Sequence, residues 1–285
     1  MLCTVVYYVL CWSFLLSESL PTETSEARRI IGGRDADETK YQYVVRLGAN
    51  ITTKEKRKIY FRCTAAVLTP IWSLTAAHCS EIVFVIVYGP IIIMNATLVM
   101  DIINHPAYSS QQLYESYNDV ALVRHKPIRL NQYARLSGLD YKTMIGQEVT
   151  VVGYGITNGT KTINTTVQQV ANGATELGKP LQLLDALIIR CNADNNIGVL
   201  KPSMCLARRC NKLSSACSGD SGGPVLHESG VVGINSVVSK QVYRFCNLEP
   251  YTTFYDPVGI TPTSSYNDWI SSIIRYEVPN HYQRM

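Results

Sequence analysis

Short apolar runs in which hydrophobic and polar positions alternate recur along the chain, separated by turn residues. Tyr43-Val44-Val45-Arg46-Leu47 and Glu148-Val149-Thr150-Val151-Val152 are rich in β-branched side chains, which suit a pleated, half-buried surface, so both segments are predicted as strands. Many short strands at this spacing predict an all-β sandwich or barrel. Residues 82–100 form a nearly uncharged apolar stretch that hydropathy alone would read as a membrane span. Gly89-Pro90 breaks it in the middle and its Ile and Val content favours strands, so two strands around a turn are predicted instead. Val152-Gly153-Tyr154-Gly155 reads as a strand running into a turn, because a dinucleotide loop would need its third glycine one residue earlier than Gly159 and a helix behind it. Helical spacing enters near the end. There Trp269, Ile270, Ile273 and Ile274 fall on one face behind Pro262, with Ser264 and Ser265 as candidate caps, and a polar tail follows from Asn280.

Composition adds the compartment. Residues 1–16 are apolar apart from Thr4, the tyrosines and Ser13, and they run into Ser17-Glu18-Ser19. That pattern predicts a cleaved signal peptide over residues 1–19, too short for a comfortable membrane span. Residues 20–29 are polar and end in Arg28-Arg29, after which Ile30-Ile31-Gly32-Gly33 turns apolar, so a processing boundary is expected after Arg29. Four Asn-x-Ser/Thr sequons, at Asn50, Asn95, Asn158 and Asn164, fit a glycoprotein passing through the secretory pathway. Of nine cysteines, Cys3 and Cys11 lie in the leader; the other seven should mostly pair outside the cell, with one left over. The formal net charge of +4 is mild, and the single basic run, Lys54-Glu55-Lys56-Arg57-Lys58, reads as a solvated loop. No nucleic-acid partner and no membrane anchor are therefore expected. A hydrophobic content of 46% over 285 residues is enough to fill a sizeable core.

The candidate chemistry begins with Gly219-Asp220-Ser221-Gly222-Gly223-Pro224. Small residues on both sides of a serine let a substrate carbonyl approach the backbone, and the N–H groups of Gly219 and Ser221 are candidates to form an oxyanion hole. A serine hydroxyl is a weak nucleophile and needs a base within hydrogen-bond reach, usually histidine. Among five histidines, only His78, in Thr75-Ala76-Ala77-His78-Cys79, sits beside a cysteine able to clamp it. His105, His125, His227 and His281 read as surface or packing residues. The base in turn needs a carboxylate to fix its tautomer. Asp119, at the head of the apolar run Val120-Ala121-Leu122, is the candidate, although in isolation it reads equally as a turn or cap residue.

Taken together, these motifs resemble the trypsin and chymotrypsin family of serine endopeptidases, in the family's order His, Asp, Ser, from Ile30 to about Arg275. The resemblance implies two packed antiparallel β-barrels, about 30–140 and 141–258, then the C-terminal helix and tail of a peptidase domain spanning 30–285. It implies Ser221 as nucleophile, His78 as general base and acid, Asp119 as orienting carboxylate supported by Ser236, and activation by cleavage after Arg29, with the new Ile30 ammonium pairing with Asp220. It also implies disulfides Cys63 to Cys79, Cys191 to Cys205 and Cys217 to Cys246, pairings that spacing alone does not select. Cys210 is left over, as a buried small hydrophobe, a free thiol or a link to another chain. The loop after His78 lacks clustered carboxylates, so neither metal nor other cofactor is expected.

Several positions depart from the family. Val237 follows Ser236 where tryptophan is usual, and nine residues rather than about five separate Ser236 from Cys246. The residue six before the nucleophile, at the base of the primary pocket, is Ser215 rather than the Asp of Arg- and Lys-cutting members. Val238 and Thr253 take the wall positions, a combination that resembles the elastase branch. The expectation is a secreted, elastase-like enzyme acting on protein or peptide substrates, with small aliphatic residues preferred over aromatic ones. Its expected partners are a trypsin-like activating protease and protein inhibitors. The altered wall keeps open a reading from another class, a non-catalytic homologue that acts as a binding protein.

Overall fold

The computed structural model describes residues 33–52, 57–90, 93–110, 116–155, 180–191, 200–208, 216, 219–237 and 258–276. Its strands are, in chain order, β1 (Arg34–Asp35), β2 (Val44–Thr52), β3 (Arg57–Thr69), β4 (Trp72–Thr75), β5 (Val83–Tyr88), β6 (Asn95–Asn104), β7 (Ser109–Ser110) and β8 (Ser116–Tyr117). There follow β9 (Ala121–His125), β10 (Glu148–Gly153), β11 (Gln182–Ile189), β12 (Leu200–Lys201), β13 (Met204–Arg208), β14 (Pro224–His227), β15 (Gly230–Val237) and β16 (Val258–Pro262). One helix, α1 (Asn267–Tyr276), closes the described chain.

Apart from β7, β8 and β12, which form a small three-stranded sheet, the strands build two antiparallel barrels. The first closes in the order β2-β3-β4-β9-β6-β5, with β5 returning to β2. In the second, the order β11-β10-β14-β15-β16-β13 closes through the pairing of β11 with β13, and β1 adds to the outer edge of β11. Closure removes the unpaired edges that an open sheet would expose. The stretch 82–100 supplies β5 and β6, paired across the turn at Gly89. Among the described residues no helix is long and apolar enough to cross a membrane.

One cluster of buried side chains fills the first barrel and runs on into the seam with the second. It joins Val45, Leu47, Trp72, Leu74 and Leu122 to Val152, Leu181, Ile234 and Ile270. A second cluster, including Val151, Ile188, Leu206, Val225 and Ile260, fills the other barrel. Continuous packing of this kind keeps the facing ends of the barrels in one geometry. Helix α1 is preceded by a 3-10 turn, Thr263–Tyr266, and here the cap expectation fails. Ser264 and Ser265 lie inside that turn, and Ser264 Oγ instead accepts the Tyr141 N–H at 3.2 Å, because the chain is already helical before α1 begins.

Buried phenols give the fold a defined alkaline limit. Burial, then the Tyr41 charge, pushes Tyr43 up to about 12. Burial likewise lifts Tyr154 to about 12 against the pull of the Arg46 guanidinium, which lies 3.7 Å from its ring centroid. Burial and then the Asp119 charge raise Tyr266 as well. A raised folded-state value means that the folded chain holds its protons after the unfolded chain has released them. The stability these groups contribute is therefore complete below about 10, the unfolded phenol value, and is lost as pH rises through about 12. Urea titrations at pH 9, 11 and 12 are expected to show a midpoint that falls at both steps; a flat midpoint contradicts the burial of these phenols.

Candidate active site

His78 lies in the 3-10 turn Ala77–Ile82 that follows β4, and its neighbour Cys79 is disulfide-bonded to Cys63 on β3. The bond ties the turn to the barrel wall. Asp119 stands two residues before β9, and the residue ahead of it, Asn118, has φ +51°, a left-handed conformation that few side chains other than Asn and Asp adopt. Asn118 is held there from both ends. Its Nδ2 donates to the Ala107 carbonyl at 2.9 Å, and its Oδ1 accepts the Tyr266 hydroxyl at 3.1 Å. His105 packs edge-on against Tyr266 and Trp269, so helix α1 buttresses the loop that presents Asp119.

Asp119 has no solvent exposure, and its carboxylate accepts three hydrogen bonds. Oδ1 accepts the backbone N–H of His78 at 2.9 Å, Oδ2 pairs with His78 Nδ1 at 2.7 Å, and Ser236 Oγ donates to Oδ2. Burial alone would raise this carboxyl, but the His78 charge, the hydrogen bonds from His78 and Ser236 and the His78 amide overcome it and hold the group below its ordinary value. An ionised carboxylate can only accept, so His78 Nδ1 carries a hydrogen and donates it to Asp119. The side chain of His78 is 35% exposed. Ser236 reaches Asp119 because a bulge in β15 leaves it unpaired between Asn235 and Val237, which turns its side chain out of the ladder.

The loop carrying Ser221 comes from the second barrel and is pinned to the first. The Thr64 N–H on β3 donates to the Ser221 carbonyl at 2.8 Å, and Thr64 follows Cys63 directly, so Ser221 and His78 hang from adjacent points of one strand. Gly222 has φ +78° and lies where any Cβ would collide with Thr75 Oγ1 and the Thr64 carbonyl. Gly219 has φ +100°, with the Gly155 backbone against it. These two positions accept only glycine. Asp220 is fully buried; its Oδ1 accepts the Gly155 N–H at 2.8 Å, and it packs where side chains at positions 153 and 155 would otherwise stand.

The structure thus brings His78, Asp119 and Ser236 into direct contact and sets Asp220 against Gly155. Among the described residues, disulfides join Cys63 to Cys79 and Cys191 to Cys205. Arg29, Ile30, Ser215, Val238, Thr253, Cys210, Cys217, Cys246, Asn158 and Asn164 lie outside the described residues. Asn50 falls in β2, and Asn95 is exposed at the start of β6. The other described histidines serve packing: His125 is buried with Ser73 Oγ at 2.9 Å, and His227 Nδ1 bonds Ser229 Oγ at 2.8 Å. Among the described residues Cys63, His78 and Cys79 group closely enough to hold a metal, but both sulfurs are spent in a disulfide and offer no thiolate. Sequence reasoning missed Thr64, Thr75 and Asn118, whose hydrogen bonds shape the site; only the position of Thr64 beside a half-cystine gave any signal.

Comparison with known proteins bears on this geometry. The family model described as Trypsin matches residues 30–270. Chymotrypsin-like elastase family member 1 of Rattus norvegicus is 26% identical over 262 residues, covering 87% of this chain and 90% of that protein. Granzyme M of the same species is 28% identical over 270 residues, covering 86% and 89%. Among solved structures, neuropsin, a serine protease expressed in the limbic system of mouse brain, superimposes with a TM-score of 0.64 at 20% identity. That match covers 86% of this chain and 100% of neuropsin.

Proposed function

The chain belongs to the trypsin family of serine proteases, and from that premise we propose that it is a secreted serine endopeptidase, made as a zymogen, that cleaves proteins or peptides through an acyl-enzyme on Ser221. The observation that supports this reading most directly is the hydrogen-bonded series Ser236, Asp119, His78, in which a buried carboxylate orients the imidazole of a partly exposed histidine. Ser221 Oγ attacks the scissile carbonyl carbon while His78 Nε2 takes the hydroxyl proton. The N–H groups of Gly219 and Ser221 hold the resulting oxyanion, and Asp119 stabilises the imidazolium. Collapse of the tetrahedral species breaks the C–N bond, and His78 passes its proton to the leaving amine. Water then repeats the sequence on the acyl-Ser221 ester, which releases the carboxylate product and restores the enzyme.

In this reading residues 1–19 direct secretion, residues 20–29 form the propeptide, and cleavage after Arg29 frees Ile30 to pair with Asp220. With Ser215 in place of a pocket carboxylate, a bound Arg or Lys side chain lacks its counter-charge, a loss of roughly 3–5 kcal/mol or about two to four decades in rate. Such an enzyme does not activate itself efficiently at Arg29. It depends on a separate trypsin-like protease, and protein inhibitors would act at the same cleft. Chromogenic peptides ending in Ala, Val, Phe and Arg test the proposal on the processed chain. The expected order is Ala and Val above Phe, with Arg weakest. A dominant Arg signal refutes the pocket assignment, a Phe signal well above Ala replaces it with an aromatic-accepting pocket, and absence of turnover on any substrate favours the non-catalytic reading.

A further inference from the structure

Thr64 makes four hydrogen bonds around the nucleophile. It is fully buried at the seam between the barrels. Its backbone N–H donates to the Ser221 carbonyl at 2.8 Å, and its own carbonyl accepts Thr75 Oγ1 at 2.9 Å. Its hydroxyl accepts the Tyr154 N–H at 3.2 Å and lies 2.8 Å from the Gly219 carbonyl, to which it donates. A hydroxyl has one hydrogen, so the direction of the series is fixed: Tyr154 N–H to Thr64 Oγ1–H to Gly219 C=O. Its far end is rigid, because the Tyr154 ring is stacked under Arg46 and its hydroxyl donates to the Val44 carbonyl at 3.3 Å. Thr64 therefore holds the carbonyls of both Gly219 and Ser221, one through its side chain and the other through its backbone.

Those are the two residues whose N–H groups form the oxyanion hole in the function proposed above, and the inference rests on that reading. We infer that Thr64 is a positioning residue for the oxyanion hole, its hydroxyl fixing Gly219 and so aiming the Gly219 N–H at the developing oxyanion. Glycine at φ +100° has no side chain to restrain it, and without an anchor it rotates readily. The hydroxyl supplies the restraint from the opposite barrel. Because hydrogen-bond donors in such a hole act chiefly in the transition state, loss of the anchor should appear in kcat and leave ground-state binding nearly intact.

The test compares Thr64→Val, which keeps the shape and removes the hydroxyl, with Thr64→Ser, which keeps the hydroxyl, both as processed full-length protein. Each variant is assayed for kcat and KM on an Ala-ending chromogenic peptide, for inhibition by a peptide boronic acid that mimics the tetrahedral intermediate, and for its melting temperature. Thr64→Val is expected to lower kcat by about 10-fold and to weaken the boronic acid by the same factor, with KM within about twofold. Thr64→Ser should stay within about twofold of the parent throughout. If Thr64→Val does not fold, Thr64→Ala carries the same comparison. An active parent with unchanged kcat in the hydroxyl-free variant overturns this inference alone, as does an equal loss in Thr64→Ser or a loss confined to KM. An inert parent overturns the proposed function together with it.

Discussion

Ser221→Ala is expected to lower kcat by about six decades while leaving KM and the melting temperature close to those of the parent. The reason is chemical. Without Oγ no acyl-enzyme forms, and His78 has no hydroxyl proton to take, so the Asp119 and His78 geometry accelerates nothing beyond what the oxyanion hole and substrate binding supply. Ser221 is partly exposed and the structure holds it through its backbone carbonyl, so removing one oxygen disturbs no buried partner. Asp119→Asn should fall short of this by about two decades, because an amide no longer dictates the tautomer but leaves the nucleophile in place. It should also destabilise the fold, since Asp119 is buried with His78 and Ser236 both directed at it. Steady-state kinetics with melting curves for the three proteins check the order; a Ser221→Ala protein that keeps more than about a hundredth of parental activity contradicts the assignment of the nucleophile.

The second large effect is expected at activation. Arg29→Gln should block processing and leave the chain nearly inactive, whereas cleaved parent gains full activity. Within the cleaved protein, Asp220→Asn should lose roughly 3–5 kcal/mol of support for the active loop, about two to four decades in kcat/KM, because half of a buried ion pair is left without its counter-charge. Asp220 suits this role by position. It is fully buried, its carboxylate already accepts the Gly155 N–H, and its backbone lies between Gly219 and Ser221, the two residues proposed for the oxyanion hole, so whatever holds its side chain also holds them. Full activity from unprocessed Arg29→Gln protein contradicts the zymogen reading. Unaltered activity of cleaved Asp220→Asn removes Asp220 from it.

The features that local chemistry determines were legible in the sequence. Alternation and β-branching marked the segments that became β2 and β10, Gly89 marked the turn between β5 and β6, and the helical spacing of Trp269 to Ile274 marked α1. The string from Gly219 to Pro224 was legible because its glycines answer steric demands that no other residue meets. What could not be read depends on approach between distant segments. Thr64 meets Tyr154 and Gly219 across 90 and 155 residues, and a threonine inside a strand looks like any other until the second barrel closes over it. Asn118 likewise reads as an ordinary turn residue until the Tyr266 hydroxyl and the Ala107 carbonyl are found at its two ends. Ser264 and Ser265 misled for the opposite reason, since local cap chemistry was overridden by a 3-10 turn that starts at Thr263.

The central claim is that Ser221 is an activated nucleophile, and stoichiometric labelling tests it without knowledge of the substrate. The processed chain, treated with a fluorophosphonate at neutral pH, digested and analysed by mass spectrometry, should carry one adduct per molecule, on the peptide containing Ser221, with none in the Ser221→Ala protein. A folded, correctly processed chain that takes up no label, or takes it up equally at other serines, would contradict the account.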